Sequence, residues 1–558
     1  MKRKLIGIIA LCILLLLVIF IQYYFFKIDK RPLLDHEEFY SLDVIPIYKE
    51  LADNGPSLNY ILSLFFHDTL HYPPLLNFTV ASSLFFFGKS LFVLKMVNVA
   101  YFLILIVAVY LLGKELAGEA AGIFSAFLTV TMPIVINFSR KNHPFLPQAG
   151  FIVLALYFFI RSRDCAIRRY AVLCGASLGL ALMIHYIGLF TSALILVFYI
   201  TKGNFTRKKI INGALSLVTT LAICGPYYWR NVSHYLSAKN ENNQLLIGPL
   251  NSFSPNDIVN KIFYFLKYEA LLPFYFYFFM LLLPSILYYS IRGKNSSSRR
   301  ILFFYLGVVF ITTITMNTLF GVNLNSDSWI AFAPVMAILT ASSALTLYRS
   351  YNKFGLVRIG ALLGLFLVLF NGFFILFWPF AYRHSFEINT AEKKTPYAVF
   401  QELGSMLMGE SLEQNLLNHV FPHRHQFDIT ETLVSYFASE SKANNKKEIR
   451  INTHNYYSLS VTLEMNSFLR DVPIQRASQG YEYYIYFNQI NETPWIPQKY
   501  HNKIKLEIHN QGVGEKKENI NYCFLEGFTE DRVFDLTTHD QLYEIYKGRC
   551  YIFKKATP

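Results

Sequence analysis

Charge is scarce in this sequence. Only 16% of its 558 residues are charged, against 53% hydrophobic and 17% aromatic, too little charge for an ordinary soluble enzyme. Cysteine is scarce as well. The six present form no CxxC pair and no zinc-type spacing, which argues against metal or redox chemistry through sulfur. A Walker lysine and a dinucleotide-binding glycine fingerprint are missing, "QGVGEKK" has too few glycines to replace them, and the G-x-S-x-G match "GASLG" from Gly175 lies inside a long apolar run and not at a strand-to-helix elbow. A nucleotide-driven pump and a serine hydrolase are therefore disfavoured. In "HVFPHRHQF", His419, His423 and His425 lack a cysteine or carboxylate at ligand spacing, so the stretch reads as a solvated turn.

Long apolar runs are what the sequence has instead. The net charge of +14 would fit nucleic acid, but the Lys and Arg residues fall in short clusters between those runs, where they set membrane orientation. "MKRK" precedes an apolar segment from Leu5 to Phe26 with no small-residue cleavage site after it. That length spans ~30 Å of hydrocarbon and reads as a retained anchor with "MKRK" in the cytoplasm. Further runs cover Leu91 to Leu112, Ala120 to Phe138, Phe145 to Ile160, Tyr170 to Ile200, Ile210 to Trp229, Leu271 to Ile291, Ile301 to Phe320, Ile330 to Tyr348 and Ile359 to Phe380.

The connections fix the topology. "RSRDCAIRR", "TKGNFTRKK", "IRGKNSSSRR" and "YRSYNKFGLVR" must all share the side of "MKRK". Tyr170 to Ile200 then crosses twice, with its turn outside near His185 and Tyr186. "PPLLNFTVASSLFFFG", Pro73 to Gly88, is short for a span and lies along the outer interface as a juxtamembrane helix. About eleven crossings result. The external face receives a first loop over residues 27–90, "SRKNHPF", the segment Arg230 to Ala270 and "NLNSDSW".

Past about Ser385 the long apolar runs stop. The expected fold class is thus an α-helical polytopic membrane domain, residues 1–384, followed by an extracytoplasmic mixed α/β domain, residues 385–558. "TPYAVFQELGSMLMG" and "ITETLVSYFASES" have helical spacing, whereas "EIRINTH", "YEYYIYF", "KIKLEIH" and "CYIFKK" have the composition of strands. Cys523 and Cys550 are the two cysteines of this tail. Pairing and free thiols are both open to them.

Two stretches carry candidate chemistry. "LLDHEEFYSLDVIP" packs Asp35, Glu37 and Glu38 just outside the anchor, ahead of an amphipathic stretch that holds them near the interface. Acids kept close to hydrocarbon are costly without a task. In "HDTLHYPPLLNF", Pro73 and Pro74 fix a turn that delivers Asp68, His71 and Tyr72 to the head of the juxtamembrane helix. Lys95 inside "FVLKMVN" either meets an anion or snorkels. Arg140 and Lys141 sit at an interface, where anchoring alone would account for them, as it would for Trp329.

An acidic cluster in the first external loop, a D-x-H-P-P-L-like element, "FGKSLFVLKMVN" leading to "LGKELAGEAAG", and a crossing that ends in "SR" together resemble the GT-C glycosyltransferases. Within them the sequence is most similar to the protein O-mannosyltransferases, lipid A aminoarabinose transferases and bacterial homologues. The motifs cover roughly the first 200 residues and the architecture covers the rest. The resemblance implies an inverting glycosyltransferase of the cell envelope that takes a sugar from a polyprenyl phosphate, in the plasma membrane, with a lipid, glycan or protein as acceptor. It implies Asp35 as the base on the acceptor, with Glu37 or Glu38 as companion; Asp35/Glu37 and Glu37/Glu38 are rival pairs because His36 intervenes. His71, Tyr72, Lys95, Arg140 and Lys141 are then candidates for the donor phosphate, with Asp68, His185 and Trp329 near the substrates. Tyr72 stands where the family commonly has His or Lys, and Ser328–Trp329 where relatives often carry Arg-Tyr. Some members use a divalent cation near the acids and others do not; three carboxylates can bind Mg²⁺ or Mn²⁺ through oxygen.

Two other functions fit the same topology. A transporter or flippase of lipid-linked sugars would place ionisable or Gly/Pro-broken positions near the midplane in two similar halves, which the sequence does not show. A polysaccharide polymerase or ligase would centre its chemistry on a large late loop. Arg230 to Ala270 is long but poor in acids.

Overall fold

The computed structural model describes residues 2–28, 43–60, 72–186, 188–201, 206–246, 332–350, 429–453, 464–465, 467–476, 483–490, 528–539 and 545–555, with residues 41, 62 and 330. The chain divides into two units. One holds Met1–Lys27, Pro46–Gly88 and Phe92–Pro422; the other holds Ile28–Ile45, Lys89–Leu91 and His423–Pro558.

The first unit is a helical bundle: α1 (Lys2–Ile28), α2 (Val44–Asn54), α3 (Leu75–Phe87), α4 (Leu91–Ala117), α5 (Glu119–Val130), α6 (Pro133–Ser139), α7 (Phe145–Arg161), α8 (Arg168–Ile184), α9 (Gly188–Thr201), α10 (Arg207–Leu246) and α11 (Phe332–Ser350). Among the described residues, three helices are long and apolar enough to cross a membrane, over Leu5–Lys27, Leu91–Ala117 and Arg207–Val232. This is a membrane protein. The runs Leu271 to Ile291, Ile301 to Phe320 and Ile359 to Phe380 lie outside the described residues, as does the expected domain boundary near 385.

Several helix limits follow from local chemistry. Helix α3 starts at Pro74 and stops at Gly88, whose φ of 90° suits a residue without Cβ. The run Tyr170 to Ile200 is two helices, broken at His185 and Tyr186 as the charge argument requires. The run Ala120 to Phe138 is interrupted and forms two helices. Pro133 has no N–H for the helical ladder, so α5 ends with Thr131 as its cap and α6 begins anew. Helix α10 runs past Trp229 to Leu246 with Pro226 inside it, so the start of the segment expected to be an external loop is helical.

Close packing of α8 on α10 depends on two glycines one turn apart. A Cβ at Gly175 would overlap the Ser216 carbonyl, and one at Gly179 would come within 2.8 Å of Ile223 Cβ. The Thr220 hydroxyl donates to the Gly175 carbonyl at 2.9 Å across this small-residue seam. Gly175→Leu is expected to force the helices apart at a cost of about 3 kcal/mol, read as a lower temperature of half-inactivation of the detergent-solubilised protein. An unchanged temperature would contradict the seam.

The bundle has two ends of different character. At one, Arg161 pairs with Glu115 at 2.7 Å and Lys114 with Glu119 at 2.9 Å. Gly7 of α1 lies against the Glu119 side chain, and Asn212 near the start of α10 donates to the Cys165 carbonyl at 2.8 Å. The basic stretches at the chain start and between α7 and α8 thus meet at one end. There Arg163, Asp164 and Cys165 take φ values of 55°, 57° and 64°, a left-handed turn that costs L-residues roughly 1–2 kcal/mol each. The Ser162 hydroxyl, accepting from the Cys165 N–H at 2.8 Å, helps to hold it. Arg163→Gly is expected to stabilise the protein by about 0.5–1 kcal/mol, seen as a raised half-inactivation temperature.

In the second unit, α12 (Ile429–Asn444) accompanies β1 (Ile449–Thr453), β2 (Ile474–Arg476), β3 (Tyr483–Ile490), β4 (Phe528–His539) and β5 (Ile545–Lys555). The sheet order is β2-β1-β3-β5-β4. β1 is parallel to β2 and β3, with Ile451 opposite Tyr483, and β5 runs antiparallel to β3 and β4. Phe437 of α12 meets Tyr483 edge-on at 5.2 Å, and the Tyr483 hydroxyl donates to Glu440 at 2.8 Å. The expected helix at "TPYAVFQELGSMLMG", the strand "KIKLEIH" and the pairing of Cys523 with Cys550 lie outside what is described.

Candidate functional site

The other end of the bundle gathers the polar side chains. The end of α1, the starts of α4 and α7, the end of α6 and the α8–α9 turn meet there. Phe92, Met96 and Val99 of α4 pack against Phe25 and Phe26 of α1, which places Lys95 in the second turn of a buried helix end. Asn98, one turn further, donates through Nδ2 to the Phe138 carbonyl at 2.8 Å and to the Lys141 carbonyl. A single amide thus ties α4 to the turn that carries Arg140 and Lys141.

That turn is also tied to α1. Gln22 donates through Nε2 to the Ser139 hydroxyl at 2.9 Å and accepts from Arg140 Nε at 3.2 Å. The Arg140 guanidinium lies 3.8 Å from the Phe25 ring centroid, a stack that holds a planar cation in place without removing its charge. Exposure decides between the readings of these cations. Arg140 is 1%, Lys95 3% and Lys141 9% exposed, so none snorkels to a surface and interface anchoring does not account for them. Taking each such ion out of water costs several kcal/mol before its contacts offset it.

A row of rings continues from this turn. His143 lies between Phe138, at 4.8 Å, and Phe145, at 4.9 Å. Phe145 in turn is 4.6 Å from His185. His185 stacks on Tyr72 with centroids 5.4 Å apart and planes 25° from parallel. Its carbonyl accepts from Gln148 Nε2 at 2.6 Å and from the Gly188 N–H at 3.1 Å.

Burial pushes the His185 imidazole down to about 3, with nearby His143 adding to the effect. It is neutral throughout the physiological range. Below its unfolded value of roughly 6.5, the unfolded chain gains a proton that the native turn refuses, so stability falls by up to about 1.4 kcal/mol per pH unit. His185→Phe is expected to flatten that slope between pH 6.5 and 5, measured as the pH dependence of the half-inactivation temperature. An unaltered slope would contradict a neutral, sealed imidazole. Elsewhere, burial pushes the Cys165 thiol up to about 11, which makes it a poor nucleophile.

The structure therefore brings together Tyr72 with His185, and Arg140 and Lys141 with the start of α4 that bears Lys95. Asp35, Glu37, Glu38, Asp68, His71 and Trp329 lie outside the described residues. Among the described residues, no three His, Cys, Asp or Glu side chains gather as a metal site. Sequence reading overlooked Gln22, Asn98, His143 and Gln148. Their signal was present: each is a polar residue within or at the edge of an apolar run.

Residues 71–229 match the family described as dolichyl-phosphate-mannose-protein mannosyltransferase. The chain shares its fold with ArnT from Cupriavidus metallidurans bound to undecaprenyl phosphate, at 13% identity and a TM-score of 0.56 over 97% of both chains. The same protein in its apo state matches at 14% identity and a TM-score of 0.53, over 96% of this chain and 97% of the other. The Archaeoglobus fulgidus oligosaccharyltransferase matches at 13% identity and a TM-score of 0.48, over 86% of this chain and 69% of that one. No curated protein matches the sequence. The fold is that of ArnT, and the segment similar to the mannosyltransferase family contains Tyr72, Lys95, Arg140, Lys141 and His185. The likeness to that family is confined to residues 71–229.

Proposed function

We propose that this protein moves a sugar from a polyprenyl phosphate to a lipid, glycan or protein acceptor at the external face of the plasma membrane, with inversion. The observation that carries the reading is the burial of Arg140, Lys141 and Lys95 at one end of the bundle, inside the segment that matches the family. A phosphate leaving group needs fixed cations where its charge develops. ArnT of the same fold is bound to undecaprenyl phosphate, which supports a lipid donor of that kind here.

In the reaction, a carboxylate among Asp35, Glu37 and Glu38 takes the proton from the acceptor hydroxyl or amine. The freed electron pair attacks the anomeric carbon, the bond from that carbon to the phosphate oxygen breaks, and the polyprenyl phosphate leaves with the bonding pair. One displacement inverts the anomeric centre. Arg140 and Lys95, with the Tyr72 hydroxyl as donor, hold the departing phosphate; the apolar bundle holds the prenyl chain. A divalent cation held by the three acids would supply further charge there. The residues past 384 help to bind or select the acceptor.

Among the described residues, the basic stretches at the chain start and between α7 and α8 lie at the end opposite the candidate site, which supports a cytoplasmic N-terminus and an external site. Cysteine labelling of intact cells at position 37 with an impermeant reagent tests this: labelling is expected, and protection until lysis would reverse the assignment.

A further inference from the structure

We propose that His185 positions Tyr72 and does not touch substrate: its ring holds the Tyr72 ring in the one orientation that presents the phenol hydroxyl to the phosphate of the lipid-linked donor. The inference rests on the function proposed above and assigns to each of the two residues its part.

The geometry separates the roles. His185 is 1% exposed and is faced by Phe145 and Tyr186 as well as Tyr72, at 4.6, 4.2 and 5.4 Å between centroids. A head group cannot reach it. Tyr72 is only half-buried and directly precedes Pro73 and Pro74, whose rings restrict its backbone to extended conformations. The prolines do not set its side-chain torsion, and a near-parallel stack on a fixed ring favours one rotamer.

The ring beneath it is fixed. His185 leaves α8 in an extended conformation, φ −159° and ψ 140°. Its carbonyl is held by Gln148 of α7 and by the N–H of Gly188 at the start of α9. Three helices thus locate one imidazole, and that imidazole locates one tyrosine. Since a misplacement of about 1 Å costs up to about 10²-fold in an oriented reaction, a residue out of reach of the substrate can still govern donor affinity.

A double-variant cycle in proteoliposomes with the accepted polyprenyl-phosphate sugar tests this. His185→Phe keeps a flat ring and should leave the donor KM within about twofold of wild type. His185→Leu should raise it about tenfold with kcat little changed. In a Tyr72→Leu background, His185→Leu should add nothing further. Should the leucine variant fail to fold, His185→Gln, which has no ring, takes its place in the same comparison. Multiplicative losses in the double variant, or equal damage from His185→Phe and His185→Leu, would overturn the proposal.

A second readout needs no turnover. With 3-fluorotyrosine at position 72, the fluorine resonance should keep its position in His185→Phe and move in His185→Leu. A resonance unmoved by His185→Leu in an active enzyme sinks this inference alone. A well-folded wild type that transfers no polyprenyl-phosphate sugar sinks the functional reading, and with it the phosphate contact of Tyr72, whatever the fluorine spectrum shows.

Discussion

Asp35→Asn is expected to slow sugar transfer by about 10²- to 10⁴-fold, with the donor KM nearly unchanged. An amide keeps the size and polarity of the carboxylate but cannot accept the acceptor's proton, so the loss belongs to the chemical step. The rival pairings within "DHEE" separate on the same assay. If Asp35 and Glu37 act together, Glu37→Gln follows Asp35→Asn and Glu38→Gln stays near wild type; if Glu37 and Glu38 are the pair, Asp35→Asn is the mild one. Three mild variants would remove the acidic cluster from the mechanism.

Arg140→Met should lower transfer by about 10²- to 10³-fold, the range for loss of one preorganised donor at a developing anion. Met fills similar volume against Phe25, and an apolar replacement of a buried ion is often neutral for stability, so the protein should remain folded. Arg140→Lys is the more revealing change. It keeps the charge but loses the planar stack on Phe25 and the Nε donor to Gln22, and is expected to fall between wild type and Arg140→Met. Full activity in Arg140→Met would mean that the arginine serves packing alone.

The helical, apolar character of the first unit was readable because apolar run length has a direct physical cause. His185 shows how far that goes. No turn signal marks it, yet the demand that two basic loops share a side places a break there, and the chain breaks there. Pro133 shows the opposite: hydropathy alone hid a helix end that a missing N–H dictates. In the tail, β2 is three residues long and β4 carries four charges in "FTEDRVFDLTTH", so neither has an alternating apolar pattern; their pairing to β1 and β5 makes them strands.

The site was legible in its residue types but not in its assembly. Arg140 next to a predicted membrane surface has the pattern of an anchor. Only the approach of Gln22, Phe25 and Asn98 from two other helices shows it to be enclosed, and that is a tertiary fact with no local signature. Gln148 is similar, since its value lies in the His185 carbonyl 37 residues away.

The central claim is tested most directly by incubating the purified protein in liposomes with labelled polyprenyl-phosphate sugars and a membrane extract as the source of acceptor. The account predicts that one sugar moves to acceptor while an equal amount of free polyprenyl phosphate appears. Movement of intact labelled lipid across the bilayer without acceptor and without release of the phosphate would contradict it, and would identify a transporter instead.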